Sequence, residues 1–256
     1  MFSPEERVRL RDALVSTAEQ DERITGAAET GSAAVGREDR WSDIDLALCV
    51  TSDGDLGQVI ADWTDRMYEE HGAVHHVDVA WGATVFRVFL LSSTLQVDLA
   101  FWPAAEFGAI GPAFRLLFGT ANERQARPTP TGAELIGMGW LYALHARSSI
   151  ARGRVWQAEY MISGLRDHVL ALTCLRYGVP ASEGRGMDSL PPDVTGAMTG
   201  ALLSSLDDAE LRRAFGVASE ALLREVGHVD VGLMDGLAGP VRELAGMGES
   251  PSVGRE

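Results

Sequence analysis

The chain has 256 residues, 46% hydrophobic and 23% charged, with a formal net charge of −15 at pH 7. That length holds one large or two modest domains around a substantial core, and no apolar run approaches the ~20 residues of a membrane span. So acidic a chain repels nucleic-acid phosphates, which demand a basic stripe, so neither nucleic acid nor a membrane is an expected partner.

Acidity favours a polycationic small molecule instead, although solubility alone is an equally good reason for it. The charge is uneven: residues 1–120 carry 20 Asp+Glu against 9 Arg, and the remainder 17 against 13, with no lysine anywhere.

Ser3-Pro4-Glu5-Glu6 opens a helix. Ser caps the first amides, Pro suits the first turn, and the acids face the positive end of the dipole. An acidic start is unlike a signal peptide, so the cytoplasm is the expected location. Val8, Leu10, Leu14 and Val15 supply an apolar face, and the helix is expected to end near residues 19–21. Ile24 to Thr30 then reads as a strand of small residues running into Gly31-Ser32, where a bare backbone can approach a ligand closely.

A polar loop follows, ending at Ser42-Asp43, and a second apolar run extends from Ile44 to Val50. Alternate residues of an extended strand share a face, so Asp43 and Asp45 project together, opposite Ile44 and Leu46. Two adjacent like charges need a cation between them. A divalent metal with oxygen ligands, such as Mg²⁺, answers that need.

Asp53-Gly54 marks a turn, and a helix is expected over 55–70 from the spacing of Leu56, Val59, Ile60, Trp63 and Met67. His71, His75 and His76 lie close in sequence but offer too few ligands for zinc. Runs at 74–81, 84–91 and 95–101, joined by short turns, predict antiparallel hairpins. The last run carries Asp98 between apolar neighbours, where a lone acid is costly to bury. Placed beside the strand of Asp45, it would bring three carboxylates onto one or two metal ions. The competing reading leaves these acids facing water at strand ends.

Residues 103–130 read as transitional. Prolines 128 and 130 make the Arg124–Thr131 stretch the expected boundary, giving domains at 1–122 and 123–246 and a flexible tail at 247–256. Thr131-Gly132-Ala133-Glu134 is a capping box, and helices are expected over 132–151, 154–177, 195–205, 207–226 and 229–246. Cys49 and Cys174 sit in apolar runs and read as reduced core residues. In the 154–177 helix, Glu159, Ser163 and Arg166 form a polar stripe about 40–60° from the apolar one. An ion pair of Glu159 with Arg166 between domains would account for it, as would a role in a cleft.

The Gly31-Ser32 turn, the loop to Ser42-Asp43-Ile44-Asp45-Leu46, and the later Asp98 together resemble the signature of the nucleotidyltransferase superfamily typified by DNA polymerase beta. They look most like its small bacterial members that adenylylate antibiotics of the aminoglycoside and lincosamide type. The resemblance covers roughly the first 120 residues; the rest matches only in being helical. It implies an α+β fold: an N-terminal polymerase-beta-like nucleotidyltransferase domain with a mixed sheet and helices, followed by an all-α helical domain.

The reaction so implied moves AMP, or another nucleoside monophosphate, from a triphosphate to a hydroxyl of a small molecule, releasing pyrophosphate. Mg²⁺ is the implied cofactor and ATP the co-substrate. Asp43, Asp45 and Asp98 are the implied metal ligands and catalytic acids. Gly31 and Ser32 would cradle the triphosphate, with Arg37, Arg40, Ser42 and Arg166 as further nucleotide contacts and Glu159 as base or acceptor-recognition residue. Gly184-Arg185-Gly186-Met187-Asp188 resembles a nucleotide-reaching loop of related proteins, and reads equally well as an ordinary turn. Other readings are a regulatory or antitoxin-like member that acts on or binds a protein, or a relative with an idle metal site. A Ser-His-Asp hydrolase finds no Gly-x-Ser-x-Gly elbow here. Oligomeric state is left open.

Overall fold

In a computed structural model of the chain, residues 1–51, 55–123 and 129–246 are described. The expected Asp53-Gly54 turn, most of the expected boundary segment and the 247–256 tail lie outside them. The chain divides into two units, Met1–Arg127 and Pro128–Glu256. Among the described residues it forms six strands in one mixed sheet and eight α-helices, an α+β arrangement with all strands in the first unit.

The first unit begins with α1 (Pro4–Gln20), where Ser3 and Glu6 close the capping box and Pro4 takes the first turn. β1 (Ile24–Thr30) runs into a single helical turn, α2 (Gly31–Ala34). β2 (Ile44–Val50) is followed by α3 (Leu56–Glu70), β3 (Ala73–Trp81), β4 (Thr84–Leu91) and β5 (Gln96–Pro103). The sheet order is β3-β4-β5-β2-β1, with a further strand, β6 (Phe114–Phe118), at the β1 edge. β2 and β5 are parallel, which their long connection through α3 and the β3–β4 hairpin permits. The other neighbours are antiparallel.

Alternation decides what each face of this sheet meets. Ile44, Leu46, Leu48 and Val50 of β2, with Val97, Leu99 and Phe101 of β5, join Leu14 of α1 and Val59, Ile60, Trp63 and Met67 of α3 in one core. The opposite positions of the same strands, Ala47, Cys49, Ala100 and Trp102, meet Phe107 and the partly buried Trp81, Phe86 and Phe114. Asp43, Asp45 and Asp98 share the parity of this second face.

The second unit consists of α4 (Gly132–Ala151), α5 (Val155–Tyr177), α6 (Pro192–Met198), α7 (Asp208–Val229) and α8 (Val231–Leu244). Thr131 and Glu134 close the expected capping box, and Gly178 ends α5 in the left-handed conformation. Ala143, Ala146, Ile162, Leu165, Val169, Phe215, Ala218 and Leu222 fill its core. No described helix is long and apolar enough to cross a membrane.

Three expectations need correction. β6 falls inside the stretch read as transitional; its Phe-Arg-Leu-Leu-Phe sequence does not alternate, so periodicity hides it. The helix expected at 195–205 begins earlier, with Pro192 in its first turn, and gives way to a 3₁₀ turn, Thr199–Ala201. On α1 the inward positions are Arg7, Leu14 and Ala18, whereas Val8 is 36% exposed. Both cysteines are buried and free.

Leu48, fully buried in β2, is expected to cost about 2–5 kcal/mol on replacement by alanine. Urea titration checks this: the midpoint should fall at constant m. A loss under about 1 kcal/mol would mean the sheet does not pack as described.

Candidate active site

Parallel pairing sets Asp45 of β2 directly beside Asp98 of β5. One row further out, Asp43 precedes β2 just as Gln96 precedes Val97, and the two rows interlock. The Gln96 amide donates to Asp98 Oδ1 at 2.9 Å and to Asp43 Oδ2 at 3.3 Å. One oxygen from each of Asp43, Asp45 and Asp98 lies within 4.8 Å of the others, and all three side chains are half-buried. Among the described residues this is the one group of three or more His, Cys, Asp or Glu able to hold a metal ion.

Burial, above all, pushes the Asp98 carboxyl from its ordinary 3.8 up to about 6; the Gln96 hydrogen bond opposes this and the nearby Asp43 charge adds to it. A carboxylate held half out of water beside a like charge is what a cation would relieve. All three candidate ligands are hard oxygens, the donor type suited to Mg²⁺ or Mn²⁺.

Gly31 completes this corner of the sheet. Its φ is +61°, and a Cβ there would run into the Asp45 carboxylate. Only glycine satisfies both the left-handed backbone and the close approach. Ser32 is half-buried, and its carbonyl accepts from the Arg37 N–H at 3.0 Å, closing the start of the loop.

The remaining expected residues are placed as follows. The Ser42 hydroxyl accepts from the Asp39 N–H at 2.9 Å and donates to Asp39 Oδ1 at 3.2 Å, so it is engaged in shaping its own loop. Arg37 and Arg40 are exposed, and the Arg40 guanidinium lies 4.4 Å from the centre of the Trp41 ring. Glu159, Ser163 and Arg166 lie along α5 in the second unit. Ser163 donates to Glu159 at 2.7 Å, and Arg166 donates to Ser163 at 3.3 Å while pairing with Asp167 at 2.8 Å. The expected Glu159–Arg166 ion pair is thus replaced by a hydroxyl link, because Asp167 offers Arg166 a nearer carboxylate. Arg185 of the 184–188 loop pairs with Glu183 at 2.8 Å. His76 meets the Tyr68 hydroxyl at 2.9 Å.

Sequence reasoning missed the ion network behind the site. Arg7 and Arg11 of α1 reach Glu38 in the loop, and Arg11 also reaches Glu29 of β1, which Arg115 of β6 holds from the other side. Positions 7, 11, 14 and 18 share one helix face, so two arginines in line with Leu14 and Ala18 were the available signal.

No protein-family model matches the chain, and no curated protein matches it. Among solved structures, an aminoglycoside 6-adenyltransferase from Bacillus subtilis matches with TM-score 0.41 and 14% identity, over 95% of this chain and 99% of that chain. A likeness of that degree assigns this chain neither a family nor a substrate.

The Asp98 shift has a direct thermodynamic consequence. Its folded-state value lies above the unfolded one, so the fold loses stability as pH rises from about 4 to 6 and Asp98 ionises. With divalent metal chelated, Asp98→Asn is expected to raise Tm at pH 8, and the gain should vanish by pH 3.5, where both side chains are neutral. Thermal melts across that range check it; a lower Tm at pH 8 would contradict the burial argument.

Proposed function

We propose that the chain is a divalent-metal-dependent nucleotidyltransferase, moving AMP from ATP to a hydroxyl of a small molecule and releasing pyrophosphate. The observation that supports this reading is the meeting of Asp43, Asp45 and Asp98 from separate segments against a glycine turn. Aminoglycoside-type antibiotics are the proposed acceptors. The acidic chain suits their positive charge, and the motif resemblance points the same way.

Asp43 and Asp45 would hold Mg²⁺ in common, with Asp98 completing the set on the acceptor side. Bound there, the metal would neutralise the phosphates and lower the pKa of the attacking hydroxyl. The acceptor oxygen forms a bond to the α-phosphorus while the bond to the bridging oxygen of the β-phosphate breaks in line. The hydroxyl proton passes to a carboxylate.

Asp98, on the acceptor side of the set, is one candidate to accept it. Glu159 of the second unit is the other candidate, as base or as a partner for an acceptor ammonium. Gly31 would let backbone amides approach the triphosphate, with Ser32 beside them. Arg37 and Arg40, exposed on the loop, are available to phosphate oxygens, and Arg166 is a further nucleotide contact in this reading. Ser42 serves the site by fixing the turn at Asp39.

The test is incubation with Mg²⁺, ATP labelled at the α-phosphate and a panel of aminoglycosides. Label on an antibiotic is expected, and Asp45→Asn should abolish it with an unchanged circular dichroism spectrum. Transfer by Asp45→Asn would remove that residue from the mechanism. Label on a lysate protein and on no antibiotic would replace the acceptor class, and no label anywhere would end the enzyme reading.

A further inference from the structure

We propose that Arg7 is a positioning residue of the metal centre, fixing from α1 the backbone that carries Asp43. Its side chain is 4% exposed. One terminal nitrogen donates to the Asp39 carbonyl at 2.5 Å and to the Ser42 carbonyl at 3.1 Å, and Nε stands 3.2 Å from Glu38 Oε1 in an ion pair. A buried guanidinium is costly unless acceptors and an opposite charge meet it; the Nε contact with Glu38 is an ion pair without a hydrogen bond. Here the acceptors are successive parts of one loop, and the last is the residue bonded to Asp43.

The three carboxylates are not held equally well. Asp45 and Asp98 lie within paired strands, with Leu46, Val97 and Leu99 buried beside them. Asp43 precedes the first residue of β2 and depends on the loop for its position. Within that loop the Asp39–Ser42 turn is closed by the Ser42 hydroxyl, and Arg7 ties both ends of the turn to α1.

Arg11, one helical turn on, extends the same hold. It meets Glu38 at 2.9 Å and Glu29 at 3.3 Å, and Glu29 stands two residues before Gly31. The glycine turn and the Asp43 loop are thereby referenced to one face of one helix. Lysine does not reproduce this at position 7, because an ammonium is one compact charge and lacks a separate Nε to face Glu38 while a terminal nitrogen reaches the two carbonyls.

The inference rests on the metal reading above, and Mn²⁺ titration of the intact protein followed by electron paramagnetic resonance separates the two. Wild type should bind Mn²⁺ and Asp45→Asn should not; a wild type that binds none overturns the metal reading and this inference with it. Given binding, Arg7→Lys and Arg7→Met are each expected to weaken Mn²⁺ affinity about 10-fold or more, as loss of a ligand-orienting partner does. Leu48→Ala, destabilised on the opposite face, should retain wild-type affinity while folded. Arg7 variants that stay folded and bind as wild type does would overturn the inference and leave the metal centre standing. If neither Arg7 variant folds, Glu38→Gln decides, weakened binding supporting the inference and unchanged binding refuting it.

Discussion

The register between β2 and β5 is the constraint on which the rest of the first unit depends. Asp45 is opposite Asp98, and because side chains alternate with a period of two, a slip of one residue would turn one acid into the core. That slip is prevented from the other face. Ile44, Leu46, Val97 and Leu99 are each almost wholly buried, and a one-residue slip of either strand would turn its pair out of the core. Hydrophobic packing under α1 and α3 therefore specifies, through the thickness of the sheet, where two carboxylates stand on the far side.

The treatment of acids around this corner is uneven in an informative way. Glu29, 3% exposed, is held between Arg11 and Arg115, and Glu38 between Arg7 and Arg11. Each of these charges has two guanidinium partners. Asp43 and Asp98 instead share the neutral amide of Gln96, and Asp98 is left with a raised proton affinity. Arginine is plentiful within the same few residues, yet the fold places its cations on Glu29 and Glu38 and gives Asp43 and Asp98 a neutral donor. Removing both arginine partners of Glu29 would strand a buried charge.

Much of this was legible in the sequence because it depends on periodicity and short-range chemistry. The alternation in 44–50, the apolar spacing in 55–70 and the capping signals at Ser3 and Thr131 are local, and the elements formed there follow the expected bounds closely. Asp43 and Asp45 sharing a face follows from strand parity alone. The adjacency of Asp98 did not; it needed a strand order that no local pattern carries.

What escaped was decided by tertiary partners. β6 exists because β1 offers it an edge, not because its own sequence alternates. The α6 segment has prolines that suit a first turn, yet the helical spacing further on drew the expectation past Met198. Arg166 chose Asp167, a neighbour whose reach only coordinates reveal.

The failure on α1 belongs to a different class, and it links fold to site. An amphipathic reading places Val8 inward, but the structure spends that end of the helix on Arg7 and Arg11 and keeps Leu14 and Ala18 for the core. A helix optimised for packing would put apolar groups at all four positions. Breaking the hydrophobic pattern costs burial, and the return is a loop whose carbonyls are fixed in front of Asp43. Departures from local consistency concentrate where a chain serves its site. At α1 the misplaced apolar residue and the buried arginine are one fact, since a helix face that carries the clamp cannot also carry the valine.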